Sequence, residues 1–157
     1  MIREILTYDK NKDILTQISN PVTMITDEIR ALIQDLKDTL AAHPNGGVGI
    51  SAVQIGELKR ICIIKYNNQI YTLINPIITK TRGEIDFIEG CLSVPELSTD
   101  TKRFQKVWCT YMDEEGRTRE LADGGLCSVI IQHELDHLDG HCPLFTAYEE
   151  AYKNEQN

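Results

Sequence analysis

Apolar positions recur along the chain with two different spacings. Between Thr26 and His43 the stretch TDEIRALIQDLKDTLAAH puts Ile29, Leu32, Ile33, Leu36 and Leu40 on one stripe, three and four residues apart. That spacing predicts an amphipathic helix, with Thr26 as its N-cap and Asp27 and Glu28 in its first turn, where the helix dipole favours acids. From Arg60 onward the pattern changes. RICIIKY and QIYTLINP are β-rich runs separated by Asn67-Asn68, which predicts a hairpin. KVWCTYMDEEGRTREL predicts a second hairpin, turning at Asp113–Gly116. Helical spacing returns around Asp123–Gly125 and runs to about Asp139, with Gly140 as its stop. Leu126, Cys127, Val129, Ile130 and Ile131 make the first turns of this helix apolar nearly all round, the mark of a buried element. Helix, many strands, then a core helix is an α+β order: short antiparallel β-sheets packed around a buried C-terminal helix.

Between the two helices lies NGGVGISAVQIG, a glycine-rich loop leading into a strand. No repeat, low-complexity tract or long Pro/Gly/Ser linker interrupts the chain, so residues 1–157 are read as a single domain, large enough to bury a sizeable core. The formal net charge of -8 argues against a nucleic-acid or anionic-membrane partner. The opening MIREILTYDKNKD carries charges within its apolar run and does not read as a signal peptide. No apolar run approaches the roughly 20 residues of a membrane-spanning helix. A cytoplasmic location is the expectation. In that setting the five cysteines, odd in number and without CxxC spacing, are mostly buried small hydrophobes.

The candidate chemistry lies in the last helix, in QHELDHLDG. His133 and His137 are one turn apart, so both imidazoles leave the same face and can share one ion. Glu134 is rotated by about 100° from His133 and can reach a water on that ion without being a ligand, as a general base must. Two core histidines beside a surface carboxylate would give the same letters. A catalytic site also needs a third protein ligand. The longer pattern HExxHxxGxxH fails, because its third histidine position is Pro143 and His141 falls two residues short. Downstream, Glu149, Glu150 and Glu155 lie in a polar tail. Upstream, Cys91 in EGCLSVP is the best candidate, with a glycine before it and Pro95 to stiffen its exit; taken alone it reads better as an inert buried thiol.

Three segments together resemble the signature motifs of the peptide deformylase family. GVGISAVQ (Gly47–Gln54) resembles the first, with Ser51 where alanine is usual; EGCLS (Glu89–Ser93) and QHELDHLDG (Gln132–Gly140) match the second and third throughout. Order and separation agree, and looser similarity runs from ILTYD to LFTAY. The resemblance implies removal of the N-formyl group from the initiator methionine of newly made proteins, and a peptide-deformylase-like fold. It implies Cys91, His133 and His137 as ligands of one divalent metal, natively Fe(II), with Zn, Ni or Co able to replace it. It assigns Glu134 as the acid–base group, and Gln54 with the backbone N–H of Leu92 as oxyanion donors. Outside the motif, Gln54 would read as a strand-end side chain facing solvent. Val48 and Gly49 are placed beside the formyl-peptide, with Phe87, Leu126, Val129 and Ile130 around the methionine side chain and Glu89 and Gly90 nearby. Partners are then formyl-methionyl nascent chains near the ribosome, with no specific nucleic acid and no membrane.

The sequence departs from the family pattern at several places. Ser51 is tolerable if its hydroxyl finds a partner. YDKNKDIL replaces the usual start, so that segment is expected to take a different path. Ser98 stands where many members carry an arginine near the substrate, while Arg103 matches a frequent basic position. GHCPLF is longer than the common link after the third motif, and His141 and Cys142 read there as exposed, incidental metal-philic groups. Two rival readings are a metallopeptidase cutting internal bonds, disfavoured by the missing downstream ligand, and a metal-binding protein without activity, for which Glu134, Gln54 and Leu92 would be superfluous.

Overall fold

The computed structural model describes residues 1–44 and 46–153. Two helices, α1 (Tyr8–Leu15) and α2 (Asp27–Ala42), precede the strands β1 (Gly49–Ser51), β2 (Ile61–Tyr66), β3 (Gln69–Cys91), β4 (Val94–Met112) and β5 (Thr118–Gly124), with a 3-10 turn at Ala52–Ile55 after β1. Helices α3 (Gly125–Leu138) and α4 (Pro143–Lys153) follow. The strands form one antiparallel sheet in the order β1-β2-β3-β4-β5. The architecture is α+β, as the apolar pattern predicts, and both hairpins turn where expected. Asn67 and Asn68 take positive φ in the first, the backbone a tight two-residue connection demands.

The sheet is continuous rather than a set of short ones, because β3 and β4 run for 23 and 19 residues. Their outer stretch, about residues 79–104, is largely exposed; half-buried and exposed positions alternate there, but Thr99, Thr101 and Arg103 take half-buried places while Ile88 and Phe104 are exposed, so the hydrophobic pattern gives little sign of it. The segment YDKNKDIL forms α1, its Tyr8 ring stacked on Phe145 of α4 at 4.4 Å. The C-terminal segment read as a polar tail is helical from Pro143 and buries Leu144 and Phe145; Glu155 lies outside the described residues.

Strand β2 explains how the core is divided. Ile61 and Ile63 pack with Ile29, Leu32, Ile33, Leu36 and Leu40 of α2. Their neighbours Cys62 and Ile64 pack with Cys127, Ile130, Ile131 and Leu138 of α3. Alternate side chains leave opposite faces of a strand, so the run ICII is apolar throughout because a helix covers each face. Thr26 caps α2 by accepting a hydrogen bond from the Ile29 N–H at 3.2 Å. At the end of α3, Gly140 takes φ +80, and a Cβ there would lie 2.5 Å from the Thr16 carbonyl oxygen. The helix therefore stops against the α1 exit, where Ser19 N–H donates to the Leu138 carbonyl at 2.9 Å.

Candidate active site and metal centre

Helix α3 offers His133 and His137 from one face, their Nε2 atoms 3.2 Å apart. The last residue of β3 brings Cys91 to the same point, with Sγ 3.2 Å from His137 Nε2. The chain reverses at Leu92 and Ser93, and the Ser93 N–H donates to Cys91 Sγ at 3.4 Å. Ligand atoms around a tetrahedral ion, held at about 2.0–2.3 Å, stand about 3.3–3.8 Å from each other. A thiolate and two imidazole nitrogens at these separations fit one divalent ion, and the donor types suit the borderline metals.

A second layer orients the histidines. His133 Nδ1 lies 2.8 Å from Glu89 Oε1, so a proton on Nδ1 leaves Nε2 free to ligate. Glu89 is gripped in turn by Arg103, with Nε to Oε2 at 2.6 Å and Nη2 to Oε1 at 2.8 Å, and Thr101 Oγ1 also donates to it. Arg103 Nη1 reaches Asp136 Oδ2 at 2.7 Å, tying β3 and β4 to α3. Burial alone would raise the Glu89 pKa, but Arg103, His133 and Thr101 overcome it and hold the carboxyl down at about 2. Burial likewise opposes charge on His133, yet the bond to Glu89 and the nearby Glu134 carry it up to about 9. Glu89 lines the pocket as expected, with its oxygens committed to Arg103, Thr101 and His133. Arg103, which matches a frequent basic position of the family pattern, is bound into the same network.

Glu134 is 4% exposed, and its carboxylate stands outside the cluster of ligand atoms. Burial raises its pKa, against the lowering effect of His133, His137 and a Ser51 hydrogen bond. That bond runs from Ser51 Oγ to Glu134 Oε1 at 3.0 Å, and the same hydroxyl is 3.1 Å from the Glu134 backbone oxygen. The unusual serine thus has its partner, and the partner is the candidate base. Gly49 explains the small residues of the first motif: a Cβ there would come within 2.5 Å of Glu134 Oε2. Gln54 does not face solvent. It is buried in the 3-10 turn, with Oε1 accepting from the Ser51 N–H at 2.9 Å and Nε2 donating to Ser93 Oγ at 3.1 Å.

Above these groups opens a cavity of about 370 Å³, lined by Gln54, Leu92, Cys91, His133, Glu134 and all eight residues assigned to substrate: Val48, Gly49, Phe87, Glu89, Gly90, Leu126, Val129 and Ile130. That volume is in the range of small-ligand pockets. Leu126 and Val48 are each 46% exposed, so they form the mouth, and Leu126 is not core as its apolar neighbourhood predicts.

One residue was misread from sequence. Cys142 is not exposed: it is 3% accessible, and its sulfur belongs with Cys91, His133 and His137 to a set of four ligand atoms all within 4.8 Å of one another. His141 does face solvent, 3.7 Å from Asp136 Oδ1. The GHCPLF link carries the cysteine back under the helix end, and its length alone does not signal that path. Cys62, Cys109 and Cys127 are core thiols, as their apolar settings predict.

Comparison with known proteins agrees with this geometry. Residues 2–150 match the family model described as Polypeptide deformylase. A peptide deformylase from Dictyoglomus thermophilum is 37% identical over 156 residues, covering 99% of each chain, and one from Heliobacterium modesticaldum is 40% identical over 81% of this chain and 83% of its own. A crystal structure of a peptide deformylase from Legionella pneumophila superposes with a TM-score of 0.85 at 31% identity, covering 99% of this chain and 98% of the other. That of a Synechococcus elongatus peptide deformylase in complex with actinonin gives 0.84 at 31% identity, covering 98% and 86%. The chain belongs to the peptide deformylase family, metal-dependent hydrolases that remove the formyl group from N-terminal formyl-methionine.

Proposed function

We propose that residues 1–157 act as one deformylase domain in which Cys91, His133 and His137 hold the catalytic metal and Glu134 is the acid–base group. The convergence of three ligand atoms, with Cys91 and His133 lining the cavity and a buried carboxylate alongside, carries this reading. A divalent ion bound there supplies a Lewis acid and a water that ionises near neutral pH. Glu134 takes the proton released by the attacking water and returns it to the departing amine. Its raised pKa suits both halves of that task. Gln54 Nε2 and the Leu92 N–H donate to the oxyanion that forms on the formyl carbonyl, and losing one such donor costs about 100- to 1,000-fold in kcat. Strand β1 lies at the sheet edge, so the Val48–Gly49 backbone can pair with the peptide main chain independently of its sequence. Phe87, Leu126, Val129 and Ile130 surround the methionine side chain. By family resemblance the native metal is Fe(II), with Zn, Ni or Co as substitutes, and the site of action is the bacterial cytoplasm, near the ribosome, on nascent chains.

Anaerobic assay of formyl-Met-Ala-Ser with Fe(II) or Ni(II) tests the assignment. Formate should be released, and Glu134→Ala should abolish release while metal content stays normal. Cleavage of the non-formylated peptide without formate would favour a metallopeptidase. No turnover with any metal would leave a binding protein.

A further inference from the structure

We propose that Cys142 is a fourth protein ligand of the metal, so that the loaded resting site is a Cys2His2 centre; the inference rests on the assignment of Cys91, His133 and His137 as ligands. The first observation is placement. The four ligand atoms, one from each side chain, lie within 4.8 Å of one another, so a contraction of about 1 Å at the widest pair brings all four to the roughly 3.3–3.8 Å that a single tetrahedral ion imposes. Two sulfurs and two imidazole nitrogens are the donor set of closed tetrahedral sites.

The second observation is that the position of Cys142 is fixed by the fold. Gly140 is pressed against the Thr16 and Gln17 carbonyls, and no side chain fits there. His141 N–H donates to the Asp136 carbonyl at 3.0 Å, and the Cys142 carbonyl accepts from the Phe145 N–H at 2.9 Å at the start of α4. Phe145 in turn packs edge-on against the His137 ring at 5.7 Å. The link between α3 and α4 is thereby folded under the helix end, and the thiol it carries is held among the ligands. A buried cysteine can be mere packing, as Cys62, Cys109 and Cys127 are in the apolar cluster between α3 and the sheet, and Cys142 too packs on one side against Tyr8, Leu144 and Phe145. Cys142 alone among these four shares its neighbourhood with two imidazoles and a second thiol.

Four protein ligands close a metal site, whereas catalytic sites keep one position open. Cys142 would therefore hold the ion in the resting protein and yield its position when substrate is processed. It governs retention of metal in the resting protein, and its displacement must precede turnover.

X-ray absorption at the metal edge of the Co(II)- or Zn(II)-loaded protein counts the sulfurs without any substitution. Two sulfurs at about 2.3 Å are expected. Cys142→Ala and Cys91→Ser should each retain one, and the thiolate-to-Co(II) absorption should fall by roughly half in each. Cys142→Ala should also surrender metal at chelator concentrations at least about tenfold lower than the parent, as loss of a direct ligand implies. Thermal unfolding of the metal-free forms separates a folding defect from a lost ligand; if Cys142→Ala does not fold, the sulfur count of the parent protein decides. One sulfur in the parent, or two retained in Cys142→Ala, overturns the proposal while leaving the three-ligand reading intact. A protein that binds no metal overturns both.

Discussion

Replacing Gly49 by alanine adds a single methyl group, and the structure locates where it must go. The new Cβ would lie 2.5 Å from Glu134 Oε2, 2.9 Å from Cδ and 3.1 Å from Cγ. Ordinary contact begins near 3.4 Å, so the carboxylate must retreat by about 1 Å, a displacement that can cost about 100-fold in rate when it affects a catalytic group. Overpacking a filled interior costs about 1–3 kcal/mol of stability, small enough for the variant to stay folded. Steady-state formate release from formyl-Met-Ala-Ser should show kcat lower by about two orders of magnitude. Metal content should be unchanged, because Cys91, His133 and His137 are not touched. Gly47→Ala is the control: its Cβ meets the flexible end of Leu40 at 3.0 Å, which can give way. A Gly49→Ala protein with normal kcat would refute the placement of Glu134 as the proton carrier.

Ser51→Ala removes a hydrogen bond that favours ionised Glu134, so the acid limb of the kcat/KM profile should move to higher pH; an unmoved limb would separate Ser51 from the chemistry. Glu89 titrates near 2 in the fold against an ordinary 4.5, which corresponds to about 3 kcal/mol of stability present above pH 4.5 and lost as the pH falls toward 2. Urea unfolding across that window should show the loss in the parent and a flatter dependence in Glu89→Gln; parallel curves would contradict the pairing. Gly140→Ala should destabilise by about 1–3 kcal/mol or more, since φ +80 and the Thr16 carbonyl both oppose a side chain, and an unchanged melting temperature would refute the contact.

Much of this site is legible in the sequence because its chemistry is local. His133, Glu134 and His137 are fixed relative to one another by helix geometry, and the apolar run before them says that the helix is buried. Cys91 and Gln54 are different. Each comes from a separate segment, and only the three motifs in register connect them to the helix; spacing alone favoured an inert thiol and an exposed glutamine. The role of Arg103 was hidden for a similar reason. Its partners Glu89 and Asp136 lie 14 and 33 residues away, and nothing local marks an arginine as buried between two acids. Cys142 was misjudged because a longer link suggests exposure, whereas Gly140 and Phe145 fold this one inward. The long β3–β4 hairpin escaped prediction because in its outer half polar residues such as Thr99, Thr101 and Arg103 occupy the half-buried positions, while Ile88 and Phe104 face outward.

The Glu89–Arg103–Asp136 bridge joins the hairpin that carries Cys91 to the helix that carries both histidines, using protein groups alone. The ordering entropy of bringing these ligands together is thus met when the chain folds, not when an ion arrives. Emptying and refilling the site then requires no unfolding, and the ion can exchange within a standing structure. Discrimination between metals in such a site falls to the thiolate and imidazole donors and their geometry, together with which metals are at hand.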